Sequence, residues 1–378
     1  MEMKNTFLRV WIALGCVAGA LWLASLPRSA VRAADKASPA ADWDRQAAAR
    51  YLDGREVWWQ GWDRAQKDHG TLCISCHTQA PYGLARPVLR RGLHEQEPTA
   101  AEKVMLDSIE KRVHLWKDVE PFYPDAKYGD GKAVESRNAE AVLNAVLLAS
   151  YDAPQGRLSQ TTRLAFDNAW ALQSTSGPAA GAWVWQNFFF TPWESPESQY
   201  HGAALMAMAV GKAPEAYRDE ARIAPNLAAL RGYLKSHYAR QPLLNKVMAL
   251  WASARLPDVL SPADRDALVK ELLSRQRSDG GWSLTDLGTW ERKDNTPLET
   301  RSDGYATGLT VLALKENSMA NQGVTRGIAW LKANQDKSTG AWPAWSLNKN
   351  RDPKSDTGQF MSDAATGYAV MALEAGSH

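Results

Sequence analysis

Two stretches of small apolar residues, Ala306-Thr307-Gly308-Leu309-Thr310-Val311-Leu312-Ala313-Leu314 and Ala365-Thr366-Gly367-Tyr368-Ala369-Val370-Met371-Ala372-Leu373, are near-copies whose starts lie about 60 positions apart. A helix apolar on every side is buried on every side, so a chain carrying several of them needs an outer layer to cover them. Segments 136–150, 198–211, 242–255, 302–315 and 362–374 share this quality. Between them, 99–117, 161–173, 224–238, 262–276 and 322–335 have apolar residues at helical spacing on one face and charged residues on the other. No convincing run alternates as a strand would. The expectation is an all-α protein with an inner and an outer layer.

Three of the outer segments end alike. Gln276-x-x-x-Gly280-x-Trp282 and Gln335-x-x-x-x-Gly340-x-Trp342 are close copies, and Gln173 followed by Gly181-x-Trp183 is a looser one. Glycine permits the left-handed backbone that ends a helix, tryptophan can lie over the helix terminus, and glutamine can bond a neighbouring backbone group. These elements resemble the Gln-Trp repeats of the squalene-hopene cyclase and protein prenyltransferase superfamily, over roughly Ser136 to the C-terminus. The resemblance implies an α/α toroid of about six inner and outer helix pairs. Segment 83–93 then serves as a further inner helix and 42–67 closes the outer ring. The chain divides into 1–34, a leader; 35–130, an N-terminal helical segment that joins the ring or stands as a small domain of its own; and 131–378, the repeats.

Lys4 and Arg9 precede an apolar stretch from Val10 to Leu26, and Val31-Arg32-Ala33 supplies small residues suited to signal-peptidase cleavage. The body is therefore expected outside the cytoplasm, in the periplasm or otherwise exported, and touches a membrane only if this stretch stays uncleaved as an anchor. A formal charge of +2 and the lack of any Lys/Arg run argue against nucleic acid as a partner.

Beyond Cys16 in the leader, both cysteines fall in Cys73-Ile74-Ser75-Cys76-His77. Two thiols at this spacing can form thioethers with the two vinyl groups of one haem, while the adjacent imidazole reaches the metal. The string resembles the attachment site of c-type cytochromes and implies one covalent haem c, with Cys73 and Cys76 as anchors and His77 as iron ligand. His69, His94, His114, His201, His237 and the methionines are candidates for the sixth iron position, and Arg86, Arg90 and Arg91 for its propionates. A disulfide or thioredoxin-like pair stays open, without the strand-then-helix pattern such a site sits on; structural zinc lacks two further ligands.

The Asp-x-Asp-Asp proton donor of the cyclases is missing. Asp303 and Asp363, each at the start of an inner segment, are the nearest acids and the candidate catalytic residues, although Ser-Asp there also suits helix capping. Tryptophan and phenylalanine concentrate in 183–194, expected at the mouth of a central cavity beside Glu197, Tyr200 and His201. The expected function is haem-based: electron transfer with a redox partner protein, or oxidation of a ligand held in the ring. The alternatives are a terpenoid-cyclase-like enzyme and non-catalytic binding of an apolar or carbohydrate small molecule.

Overall fold

The computed structural model describes residues 42–319 and 321–376. The expected leader, with Cys16, lies outside them. Among the described residues twelve long helices alternate outer and inner around a ring. The outer helices are α1 (Arg45–Gly61), α3 (Ala100–His114), α5 (Gln160–Leu172), α7 (Ala224–His237), α9 (Pro262–Ser274) and α11 (Gln322–Ala333). The inner ones are α2 (Gln79–Gly92), α4 (Lys132–Asp152), α6 (Ser198–Lys212), α8 (Leu243–Ser253), α10 (Gly304–Glu316) and α12 (Phe360–Glu374). This is the α/α toroid of six pairs. Among the described residues no helix is long and apolar enough to cross a membrane.

Composition separates the layers. Residues 304–314 of α10 are all buried, whereas α9 buries only Leu268 and Leu272. Outer helices begin at side-chain caps that satisfy their first amides: Ser159, Ser261 and Asn321 each accept from the backbone three residues on, and Thr99 with Glu102 forms a capping box. Inner helices approach one another through small residues. A Cβ on Gly308 would meet the Ala369 backbone nitrogen at 2.7 Å, and one on Gly367 would meet the Pro81 carbonyl at 3.0 Å. The near-copied segments are thus the faces where α10, α12 and α2 touch.

The three Gln-Gly-Trp turns share one geometry. Trp183, Trp282 and Trp342 are fully buried, and each Nε1 donates to a carbonyl in the last turns of its outer helix: Ala169, Leu272 and Leu331, all at 2.7 Å. Each glutamine Nε2 donates both to its own turn glycine and to the start of the next outer helix. The pairs are Gly181 and Asn226 for Gln173, Gly280 and Gly323 for Gln276, and Gly340 and Asp44 for Gln335. The glycines adopt φ +93, +92 and +83. They do not end the helices, as the sequence reading expected; Gln173, Arg275 and Asn334 do, and the glycines stand further on because a Cβ there would strike the backbone of Ala229, Arg326 or Ala47 on the next outer helix.

The last of these turns closes the ring. The Asp44 amide donates to Gln335 Oε1 at 2.7 Å, its carbonyl accepts from Gln335 Nε2 at 2.9 Å, and its carboxylate caps α1 through the Ala47 amide. Trp43 packs on Trp342 with ring centroids 5.8 Å apart. A two-residue hairpin, β1 (Gln66–Lys67) with β2 (Thr71–Leu72), was not foreseen, being too short for any alternation to register.

Replacing Gln335 with Ala leaves the Asp44 amide and the Gly340 carbonyl without these partners and is expected to cost about 2 kcal/mol or more in urea unfolding. Gly340→Ala is expected to cost at least as much, since it adds left-handed strain of roughly 1–2 kcal/mol to a collision with Ala47.

Candidate functional site

The end of the ring that holds the N-termini of α10 and α12 carries a cavity of about 220 Å3. Its walls come from four places: Cys76 and His77 before α2; Phe190, Trp193 and Glu194 between α5 and α6; Tyr305 at the start of α10; and Ser346, Asn348, Arg351 and Thr357 ahead of Phe360, Met361 and Ala364 of α12. The loop bearing Phe190 and Glu194 is a tight turn in which the two residues exchange backbone hydrogen bonds at 2.8 and 2.9 Å. Lysines pin it from outside: Lys132 Nζ donates to the Asn187 carbonyl at 2.6 Å and Lys293 Nζ to that of Phe188 at 3.2 Å. Trp193 Nε1 donates to the Tyr305 hydroxyl at 3.0 Å, fixing one aromatic wall.

The opposite wall is a stack. The His77 ring lies on Phe360 with centroids 3.7 Å apart, Trp59 meets both edge-on, and Trp58 stacks on Trp62 at 5.2 Å behind them. Burial, aided by the Arg351 and Arg55 charges, pushes the His77 imidazole down to about 3, so it is neutral. The Thr78 hydroxyl donates to Asp363 Oδ2 at 2.7 Å and so accepts from His77 Nδ1 at 2.9 Å. That assigns the ring proton to Nδ1 and leaves Nε2 as the acceptor.

Glu194 is half-buried and is the one carboxyl among the residues lining the cavity. Burial lifts it to about 7, against the pull of Arg351, Lys132 and Lys293. Near neutral pH it therefore exchanges between donor and acceptor forms.

Asp303 and Asp363 sit elsewhere. Asp303 caps α10 through the Ala306 amide and accepts from the Leu284 amide at 2.6 Å; burial lifts it to about 7. Asp363 is a buried hub accepting from Arg55 Nε and Tyr51 at 2.8 Å besides Thr78, and so joins α1, the Cys76-His77 loop and α12. Of the aromatic segment, Phe190 and Trp193 reach the cavity, while Tyr200 donates to the Leu234 carbonyl and His201 is buried beside Trp185. Arg86 pairs with Asp53 and Glu95, Arg90 with Glu102, and Arg91 donates to the Pro87 carbonyl. Arg351, Asn348, Thr357 and Phe360 escaped the sequence reading because they stand in no repeat and match no motif.

The fold is shared with solved structures. An inactive variant of the alpha-1,6-mannanase of Salegentibacter sp. HEL1_6, in complex with alpha-1,6-mannotetrose, matches over 88% of this chain and 99% of its own at 14% identity and TM-score 0.51. A structure titled as a glycosidase matches over 88% and 98% at 11% identity and TM-score 0.50. At such identity the likeness carries the α/α toroid. No protein-family model and no curated protein matches the chain.

These findings correct the haem reading. The solved chains that share the fold are titled as glycosidases, and among the described residues no group of three or more His, Cys, Asp and Glu could hold a metal ion. The geometry also fails the fit: Phe360 covers one face of the imidazole, with ring centroids 3.7 Å apart. Cys73 is enclosed in the core, where burial pushes its thiol up to about 12, and burial raises Cys76 further. Cys73, Cys76 and His77 are therefore withdrawn as anchors and ligand of a haem c. Electron transfer and haem-dependent oxidation are withdrawn with them.

Asp363→Ala takes away the buried acceptor of Arg55 Nε, Tyr51 and Thr78, leaving Arg55 only the more exposed Asp356, and is expected to cost about 3 kcal/mol or more in urea unfolding. Glu194 is lifted from an ordinary 4.5 to about 7, so its contribution to stability is fully present below about 4.5 and is lost as pH rises through about 7. Unfolding of the wild type and Glu194→Gln at pH 4, 6 and 8 is expected to show the wild type losing ground to the variant across that window.

Proposed function

We propose that the cavity binds a carbohydrate and does so without turnover. The observation that carries the reading is the pairing of flat aromatic faces with short polar groups in one small pocket. Phe190, Trp193, Tyr305 and Phe360 offer faces for the C–H side of a sugar ring; Ser346, Asn348, Thr357, Glu194 and His77 Nε2 offer donors and acceptors for its hydroxyls. The mannotetrose held by the mannanase of the same fold supports the ligand class.

Glycoside hydrolysis ordinarily needs two carboxyl groups flanking the bond, roughly 5–9.5 Å apart. Only Glu194 lines this cavity. Asp303 and Asp363 are occupied by backbone amides and by Arg55, Tyr51 and Thr78, and we assign them to holding the ring together rather than to proton donation. The Gln-Gly-Trp turns support kinship of architecture with the squalene-hopene cyclase superfamily, and residues 1–34 support an exported setting; both belong to the same proposal.

Titration of the purified protein with alpha-1,6-mannotetrose, followed by tryptophan fluorescence and by calorimetry, is expected to give saturable binding with no new reducing ends. Trp193→Ala is expected to weaken it about tenfold or more. Absence of binding at millimolar sugar overturns the reading, and steady release of shorter sugars overturns its non-catalytic part.

A further inference from the structure

We propose that the sugar this cavity takes is anionic, a uronate-bearing oligosaccharide whose carboxylate docks on Arg351 inside a rim of lysines. The inference rests on the carbohydrate reading and narrows it.

Cations gather where the aromatic loop meets the cavity. Lys293 Nζ lies 4.0 Å and Lys349 Nζ 5.5 Å from the Phe190 ring centroid, and Lys132 Nζ lies 5.0 Å from that of Phe188. Lys132 is balanced by Glu135 at 2.6 Å. Among the described residues no hydrogen bond or ion pair engages either the Lys349 ammonium or the guanidinium of half-buried Arg351, which lines the cavity itself. Most arginines deep in this protein are paired: Arg55, Arg86, Arg90 and Arg112 all hold carboxylates.

The acids near Arg351 in sequence are turned to other work. Asp352 accepts from the Lys354 amide, Asp356 pairs with Arg55, and Asp294 accepts from Thr296 and from the Asn350 amide. Of the groups facing the cavity, His77 is neutral, and Glu194 sheds much of its charge below about pH 7. A planar guanidinium left free in a partly dry pocket matches a carboxylate in two parallel hydrogen bonds, a pairing that an ammonium or an amide cannot reproduce. First-turn residues of α10 and α12, Tyr305 and Phe360, line the same cavity, so the positive ends of those helix dipoles lie beside it.

Calorimetric titration of the full chain with trigalacturonate, with alpha-1,6-mannotetrose and with citrate tests this. Trigalacturonate is expected to bind at least about tenfold more tightly than the neutral sugar at low salt, and the gap is expected to close towards about 1 M salt, where charges are screened within ~3 Å. Arg351→Gln is expected to bring the two sugars to parity through loss of the uronate's advantage; Lys349→Gln is expected to narrow the gap in part. Raising pH from 6 to 8 is expected to weaken the uronate alone, as Glu194 gains charge. Equal binding of both sugars by the wild type overturns the anionic assignment and leaves the carbohydrate reading standing. Citrate bound as tightly as trigalacturonate overturns it in favour of a bare anion site. Failure of both sugars to bind overturns the carbohydrate reading itself.

Discussion

A glutamine side chain carries one amide nitrogen with two hydrogens, and in Gln173, Gln276 and Gln335 that nitrogen donates to the backbone of two successive outer elements at once. The arrangement holds only if the next outer helix comes close enough to touch the turn, which is why a glycine stands there with no Cβ to keep it away. The tryptophan two residues on fills the wedge and satisfies its own indole on the helix just ended. Spacing between outer helices, and so the curvature of the ring, is set by these contacts more than by the apolar faces, which would tolerate sliding.

The cavity follows from that curvature. The segments that lead into α2, α6, α10 and α12 meet at the cavity, bringing Glu194 from one loop and Arg351 from another beside His77. Buried charge around it is handled by pairing: Arg112 lies fully buried between Glu140, Thr71 and the Glu120 carbonyl, and Arg55 holds Asp363. Against that background Arg351, whose guanidinium no hydrogen bond or ion pair engages among the described residues, stands out.

Much of the scaffold was legible in the sequence. All-round apolarity marked the inner helices, one-sided apolarity the outer ones, and the Gln-Gly-Trp spacing the joints; helix ends moved by up to six residues because caps such as Asp303 decide them, not apolar periodicity. The site was much less legible. A short motif, Cys73 to His77, drew attention to a corner of the molecule that lines the cavity, but the haem chemistry it suggested does not stand, since nothing in five residues tells that Phe360, 283 positions on, stacks against the imidazole at 3.7 Å. Glu194 lay inside a segment singled out for its aromatics. Arg351, Asn348 and Thr357 come from an irregular connection whose residues gain meaning only when the ring brings them together.

The bond between Asp44 and Gln335 joins positions 291 apart. Open helical stacks can shed a terminal repeat because each unit leans only on its neighbours and the end ones are capped. Among the described residues this ring has no end unit: α1 packs on α3 and is tied to the turn after α11 through Asp44 and Gln335. Clipping residues from either side would not shorten the protein but breach it, exposing two oily surfaces together. During synthesis the hoop can be fastened only after the final helix has emerged, so the first one must wait, half covered, for a partner made last.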